Sequence, residues 1–373
     1  MSKSYCSLGL MSGTSMDGVD TSIIQSDGKS KYKAILDNYF EYPKDIFKDL
    51  ATLRDKIKSS KDLRRFEKQT KSVEKEITLF HAKAASKIIK KSKLNVDFIG
   101  FHGQTIFHNA EEQISRQLGD GKLLSKLTKK KVVYNFRQND LKNGGQGTPL
   151  TPIFHSILVK QKKIPLPVVI LNIGGITNYT FIDEKGICSS LDLGPGNCLI
   201  DQWIRLNSKK KYDKNGKIAS SGKIKKAILN KALKNFKKKK SVKSSFDVKD
   251  FDISFVRGLS LEDGAATLTE YTSKILYEYL IDPELEKWES TLIAGGGRKN
   301  KFLIKSIEDK IKSLGTLNSS LKLIDDYGVD GDFVESQAFA YLAIRSYLNL
   351  PISFPETTGV SEPCTGGIII NNF

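Results

Sequence analysis

The amino-acid sequence predicts an α/β protein with mixed sheets, and three observations carry that expectation. Apolar strands alternate with helical stretches along all 373 residues, the pattern of helices laid over sheets. Two hairpins with turns Ser12-Gly13-Thr14-Ser15 and Ile173-Gly174-Gly175-Ile176-Thr177-Asn178 head successive halves of the chain. A third strand, 291–294, runs into Gly295-Gly296-Gly297. This recurrence suggests a duplicated domain closing on a nucleotide, and the length is comfortable for two cores.

In chain order, 7–11 and 19–24 make the first hairpin. Its tip offers backbone N–H groups with no bulky side chain before them, plus three hydroxyls, which is what holding a phosphate chain requires. An ordinary polar hairpin would share these features. The motif is not the nucleotide-binding P-loop, because the Gly-Lys-Ser/Thr ending and the following helix are missing. Residues 32–42 read as a strand stopped by Pro43. Stretches 44–58 and 62–91 read as helices, with Ile77, Phe80, Ala84 and Ile88 at three-and-four spacing. Strand 95–101 carries His102-Gly103-Gln104-Thr105 at its carboxyl end, the edge where α/β sheets bind ligands. Strand 114–118, a helix begun by Gly119-Asp120-Gly121, strand 131–135, the segment Phe136-Arg137-Gln138-Asn139-Asp140, the glycine-rich 143–149 and helix 152–160 complete the first half.

The second hairpin pairs 168–172 with 179–182. Strand 186–193 ends at Asp192, ahead of Gly194-Pro195-Gly196-Asn197, and the next helix carries Leu199, Trp203 and Leu206 on one face. A lysine-rich segment (209–249), helix 260–280, a turn at Asp282-Pro283 and the 291–294 strand come next. Helix 301–313, strand 322–325, helix 332–348 and strand 367–370 close the chain.

Composition narrows the function. No apolar run approaches the roughly 20 residues of a membrane helix, and the start has no signal-peptide core. A cytoplasmic protein without a membrane partner is expected. Cys6, Cys188, Cys198 and Cys364 are scattered, which favours reduced, non-metal thiols. The formal charge of +18 raises nucleic-acid binding as a function. The basic residues are mostly lysines on helices, densest in 209–249, without aromatic interleaving, zinc spacing or a recognition-helix pattern. No nucleic-acid partner is expected; the positive field would draw in small anions.

The string from Gly9 to Asp20, Gly-Leu-Met-Ser-Gly-Thr-Ser-Met-Asp-Gly-Val-Asp, resembles the signature of the anhydro-N-acetylmuramic acid kinases. These are peptidoglycan-recycling enzymes of the sugar kinase, Hsp70 and actin fold superfamily. Blocks 102–105, 136–149, 171–178, 192–197, 295–300 and 331–343 sustain the resemblance in order, and 209–249 is the least family-like stretch. It implies a two-lobed actin-like ATPase fold with a central nucleotide cleft. The N-terminal lobe would be 1–135 plus 350–373 and the C-terminal lobe 136–349. The implied activity is an ATP-dependent kinase that opens the 1,6-anhydro bridge with water and phosphorylates O6, in cell-wall recycling and amino-sugar catabolism. The alternative is an ordinary sugar kinase of this fold without the hydrolytic step. A nucleotide-binding regulator without turnover would be expected to lack one of the two acids described next.

Asp192, before Gly-Pro-Gly, can project into a cleft or simply fix a turn. The resemblance makes it the base that takes a proton from water attacking the anomeric carbon. Glu335 lies at a helix start, where the dipole favours an acid in any case; the resemblance sends it to the sugar or the attacking water. The resemblance also places Ser12, Gly13, Thr14, Ser15, Met16, Asp17, Gly18, Val19 and Asp20 at the phosphates from one lobe, and Gly174 and Gly175 from the other. Gly295, Gly296 and Gly297 would flank adenosine. ATP and Mg2+ are the implied cofactors, because phosphoryl transfer is mostly positioning and charge neutralisation. Asp17 and Asp20 are available to the metal, or else fix the hairpin.

His102, Gln104, Arg137 and Asp140 are candidate contacts to a small-molecule amino-sugar substrate. The fork of Arg137 suits a lactyl carboxylate, with a salt bridge between lobes as the competing use. His102 is either a ligand group or a structural hydrogen bond at a strand end. His81, His108 and His155 form no metal spacing with it. Two residues depart from the family pattern: Asn135 stands where an aspartate is usual, and Gln138 where a basic residue is usual. A homodimer is compatible with all of this.

Overall fold

The computed structural model describes residues 3–240, 245–280, 288, 290–313 and 320–373. Its strands are β1 (Tyr5–Ser12), β2 (Gly18–Ser26), β3 (Tyr32–Glu41), β4 (Phe98–Asn109), β5 (Ile114–Leu118), β6 (Lys131–Tyr134), β7 (Val168–Ile173), β8 (Ile176–Ile182), β9 (Cys188–Pro195), β10 (Ser290–Ala294), β11 (Ser320–Leu323) and β12 (Ile368–Ile370). Its helices are α1 (Lys44–Lys56), α2 (Ser60–Arg65), α3 (Glu67–Ser92), α4 (Gly121–Thr128), α5 (Gln138–Lys142), α6 (Pro152–Gln161), α7 (Cys198–Asn207), α8 (Lys226–Lys240), α9 (Leu261–Leu280), α10 (Lys301–Ser313), α11 (Val334–Tyr347) and α12 (Pro355–Thr358). The expected turn at Asp282-Pro283 lies outside the described residues. Among those residues, no helix is long and apolar enough to cross a membrane.

The chain divides into two compact units. The first comprises Met1–Ile164, Cys188–Ser190 and Asp332–Phe373; the second comprises Pro165–Ile187 and Leu191–Gly331. This corrects the expected boundaries, since 136–164 and 332–349 belong with the first unit rather than the second. The physical reason is α11, which packs on β1, β2 and β4. The close approach is possible because β1 offers Gly9, where a Cβ would lie 1.8 Å from Ser336 O. On β4, a Cβ at Gly100 would lie 2.1 Å from Phe339 O.

The first unit is built on a sheet ordered β12-β6-β4-β1-β2-β3, with β5 paired to β4. β1, β4 and β6 run parallel, while β2 pairs antiparallel with β1, β3 with β2, β5 with β4 and β12 with β6. Side chains alternate across a strand. Leu8 and Leu10 therefore join Val19, Ile23, Ile77 and Ala85 in the core under α3, while Gly9 faces α11. The expected helix 62–91 is broken at Phe66 (φ −106°, ψ 22°), which separates α2 from α3.

β4 is the element that matters most for the site. It continues to Asn109 instead of stopping at residue 101, so His102–Thr105 lie within it rather than at its end. Register with β1 shifts between Leu10↔Phe101 and Met11↔Gly103, leaving His102 as the extra residue of a bulge. At the same place β4 exchanges β6, last paired at Phe101, for β5, first paired at Gln104. Bulges bend a strand and re-aim side chains.

The second unit is built on the order β11-β10-β7-β8-β9, with β7 parallel to β10 and antiparallel to β8. Val169, Leu171, Ile173, Ile293, Leu303 and Ile307 form one part of its core. Leu199 and Trp203 of α7 pack in another with Leu268 and Ile275 of α9. Leu206, expected on the same buried face, is 69% exposed because the last turn of α7 runs past that core.

Candidate active site

In the first hairpin the side chains of Ser12, Met16 and Val19 point inward, while Thr14 and Ser15 are exposed. Met16 N donates to Gly13 O at 3.1 Å, closing a turn in which Thr14 and Ser15 keep negative φ and Met16 takes φ 58°. A bulky residue at positive φ is uncommon. Met16 tolerates it because its side chain is buried in the core beside Val19. Ser12 is buried too: its Oγ lies 2.7 Å from Gln104 Oε1, 2.9 Å from Gly18 O and 3.1 Å from the Tyr42 hydroxyl that donates to it. The side chains of Ser12, Met16 and Val19 are thus structural, correcting the expectation that they meet phosphate. Gly18 is set by packing, since a Cβ there would lie 2.5 Å from Phe40 O.

The exposed part of the tip is Gly13, Thr14 and Ser15. A Cβ on Gly13 would meet nothing nearer than Ser15 Oγ at 4.0 Å. Ser15 donates to Asp17 Oδ1 at 2.5 Å, and Asp17 O accepts from Tyr42 N (2.8 Å) and the Tyr39 hydroxyl (2.9 Å). Asp17 and Asp20 are both half-buried. Among the described residues no three acidic, histidine or cysteine side chains converge on a cation site. The tip's donors are all oxygens, the set a hard cation takes alongside phosphate and water. A magnesium brought in on a nucleotide fits them.

Three of the four residues expected at the sugar are committed to holding other groups. Gln104 is buried and donates Nε2 to Gly13 O at 3.0 Å, so it belongs to the hairpin. Asp140 is fully buried, with one carboxylate oxygen accepting from Gly147 N and the other from Thr358 Oγ1. It ties down the glycine-rich loop instead of reaching outward. His102 is buried at the β4 bulge, stacked 4.5 Å from the Phe339 ring. Its Nδ1 donates to Gly103 O at 2.8 Å, which leaves Nε2 to accept from Arg137 at 3.0 Å. Burial, assisted by the Arg137 charge, lowers its pKa to about 3, so the ring stays neutral.

Arg137 is where these supports meet. One guanidinium nitrogen donates to Gly147 O at 2.8 Å, the carbonyl of the residue Asp140 anchors, and the other donates to His102. Glu335 is half-buried in the first turn of α11. Desolvation pushes its carboxyl above the usual range, and the Arg137 charge pulls it back down. Of the departures, Asn135 sits at φ 57°, a conformation asparagine and aspartate both tolerate. Gln138 donates to Gln113 O at 3.0 Å on an exposed loop.

In the second unit the glycine turn and the acid are coupled through the backbone. β9 extends to Pro195, so Asp192 stands inside the strand rather than at its end. It is buried, and Oδ2 accepts from Phe246 N at 3.0 Å. The loop after it hangs from the second hairpin: Asn197 N donates to Gly174 O (2.8 Å), and Gly196 N and Cys198 N donate to Gly175 O (2.9 and 3.2 Å). Gly295 at φ 77° and Gly297 are packed on Asn172 and Ile173, whereas Gly296 has no atom within 4 Å of where a Cβ would stand. Sequence reasoning missed Arg298. Its buried guanidinium pairs with Asp325 at 2.7 and 3.1 Å and with Asp330 at 3.2 Å, and donates to Gly295 O at 3.2 Å. An arginine directly after three glycines was the available signal.

A family model for anhydro-N-acetylmuramic acid kinase matches residues 5–372. The chain belongs to that family. A relative of that name from Pelagibacter ubique is 55% identical over 379 residues, covering 100% of both chains. Another from Agrobacterium fabrum is 36% identical, covering 97% of this chain and 98% of its own. Among solved structures, a ROK family glucokinase from Streptomyces griseus aligns over 91% of this chain and 99% of its own. Its TM-score is 0.39 and its identity 10%. The family is one of kinases, and the α/β architecture with mixed sheets is the one the sequence predicted.

Proposed function

We propose that this protein is an ATP-dependent kinase that opens 1,6-anhydro-N-acetylmuramic acid with water and transfers phosphate to O6. The observation that carries the reading is Asp192, buried on β9, with its following loop hung from the Gly174-Gly175 turn. Asp192 takes a proton from the water whose oxygen bonds to the anomeric carbon. The bond from that carbon to O6 breaks, O6 bonds to the γ-phosphorus, and the bond to the β,γ-bridging oxygen breaks. The products are N-acetylmuramic acid 6-phosphate and ADP. A carboxylate held in hydrogen-bond reach of its proton suits general-base work.

Arg137 pairs with the lactyl carboxylate, and Glu335 contacts the sugar or the attacking water. The backbone of Gly13, Thr14 and Ser15 holds phosphate oxygens, as do Gly174 and Gly175, and Gly296 lies beside adenosine. Magnesium, bound near Asp17 and Asp20, would neutralise phosphate charge. The reading puts the enzyme in the cytoplasm, in cell-wall recycling and amino-sugar catabolism, with no nucleic-acid or membrane partner. The test is turnover in 18O-labelled water with ATP, magnesium and the anhydro sugar, read by mass spectrometry. Label at the anomeric carbon with phosphate on O6 is the expected product. A phosphorylated sugar without label would assign an ordinary sugar kinase instead.

A further inference from the structure

We propose that Tyr42 is a positioning residue for the first hairpin, acting through a one-way hydrogen-bond chain from Tyr42 to Ser12 to Gln104 to the Gly13 carbonyl. The chain turns the Thr14 N–H outward to meet nucleotide phosphate. This deepens the proposed function and rests on its reading of the hairpin as the phosphate site.

The direction of the chain is set at its far end. Gly13 O can only accept, so Gln104 presents its amide nitrogen to it (3.0 Å) and its Oε1 to Ser12 (2.7 Å). Ser12 has one proton, shared between Gln104 and Gly18 O, and its oxygen accepts from the Tyr42 hydroxyl at 3.1 Å. Burial pushes the Tyr42 phenol well above its ordinary pKa, so it remains a donor. Its ring is fixed edge-on to Phe80 at 5.0 Å, and its backbone N–H holds Asp17 O at 2.8 Å.

The consequence follows from peptide geometry. In a trans peptide the carbonyl and the next N–H point to opposite sides. Gly13 O is drawn inward by Gln104 Nε2 and Met16 N, so the Thr14 N–H is directed outward. Among the described residues nothing accepts from the N–H of Thr14 or of Ser15, and the space in front of Gly13 is open. Donors already aimed before charge arrives need no reorganisation when it does.

The test measures dissociation constants for ATP and AMP by calorimetry on the full-length protein with magnesium, alongside thermal melting. Tyr42→Phe removes one hydroxyl and should weaken ATP by about 3–10-fold, the scale of one neutral hydrogen bond, while sparing AMP. Gln104→Leu breaks the last link and should weaken ATP more. Thr14→Pro, read against Thr14→Val, is the reference, because proline suits the second position of this turn and deletes the N–H as well as the hydroxyl, whereas valine deletes the hydroxyl alone. The proline variant should weaken ATP at least as much as Tyr42→Phe. An unchanged ATP-to-AMP ratio in Tyr42→Phe, with or without a lower Tm, overturns the proposal and leaves the chain merely structural. If Thr14→Pro also keeps the parental ratio, the hairpin is not the phosphate site and the underlying reading fails with it. Should Gln104→Leu not fold, Tyr42→Phe decides alone.

Discussion

The two hairpins look alike in sequence and are held by opposite means. The Ser12–Gly18 tip is fixed by side chains, with Tyr42, Ser12 and Gln104 reaching one carbonyl from inside. The Gly174-Gly175 tip is fixed by backbone, its two carbonyls taken by N–H groups of the loop that follows Asp192. A tip held by side chains should lose function in graded steps as links are removed. A tip held mainly by backbone offers little side chain to trim beyond the 3.5 Å contact of Asn197 Nδ2 with Ile173 O, so an added Cβ or a lost acid should disturb it most.

The largest effect should come from the acid beside the backbone-held tip. Asp192→Asn keeps the shape and removes the proposed base, so kcat should fall by about 100-fold or more, the scale of general-base catalysis. ATP affinity and Tm should stay near parental. Turnover within a few-fold of the parent would take the base role away from Asp192. Next comes Gly196→Ala, whose Cβ would lie 2.3 Å from Gly174 O. The loop must move off the hairpin and carry Asp192 with it. Steady-state kinetics should show kcat reduced by about 10–100-fold, since displacements near 1 Å can cost that much. An unaltered kcat would mean that the docking does not position the acid.

Gly13→Val is the matching change at the other tip, and the outcome should differ in kind. A Cβ there would meet nothing nearer than Ser15 Oγ at 4.0 Å, so melting should be little changed while calorimetry shows ATP weakened and the sugar spared. A lower Tm with normal ATP affinity would erase the contrast between the two tips.

The same contrast explains what could be read from the sequence. Strand and helix order was legible because apolar spacing and turn residues are local signals, and β1, β2, β7 and β8 formed where expected. The assignment of α11 to the first unit was not legible. It depends on Gly9 and Gly100 meeting the helix backbone, a pairing more than 200 residues apart that no local pattern announces. Among candidate site residues, polar identity singled out Gln104, Asp140 and His102 but could not say in which direction they point. All three face inward to hold Gly13, Gly147 and Arg137. The β4 bulge that turns His102 toward Arg137 is a register event between strands, invisible to a one-dimensional reading.

On the proposed reading, Arg137 would carry the side-chain-built half to the sugar. Arg137→Lys keeps the charge but loses the planar fork, which gives two parallel charge-assisted bonds where an ammonium gives a point charge. The Michaelis constant for the anhydro sugar should rise about 10-fold and that for ATP should hold, on the scale of one charged hydrogen bond. A sugar analogue without the lactyl group should bind the parent poorly and be indifferent to the mutation. If parent and variant discriminate equally between sugar and analogue, Arg137 does not read the carboxylate.

The smallest expected effect is electrostatic and belongs to Glu335. Its folded-state pKa is raised by desolvation, with Arg137 opposing. Between the unfolded and the raised folded pKa the native state holds more protons than the unfolded chain. Stability therefore falls as pH rises through that window, and the ionised carboxylate is a standing cost above it. Below the unfolded pKa both states are protonated and the cost disappears. Glu335→Gln removes the titration and keeps the shape. Its Tm should match the parent in acid and exceed it near neutrality. In an Arg137→Gln background the cost should grow, since the opposing charge is gone, and the gap opened by Glu335→Gln should widen. A gap that is constant from acid to neutral pH would show that Glu335 titrates as an ordinary surface acid, and that the side-chain network around Arg137 does not reach it.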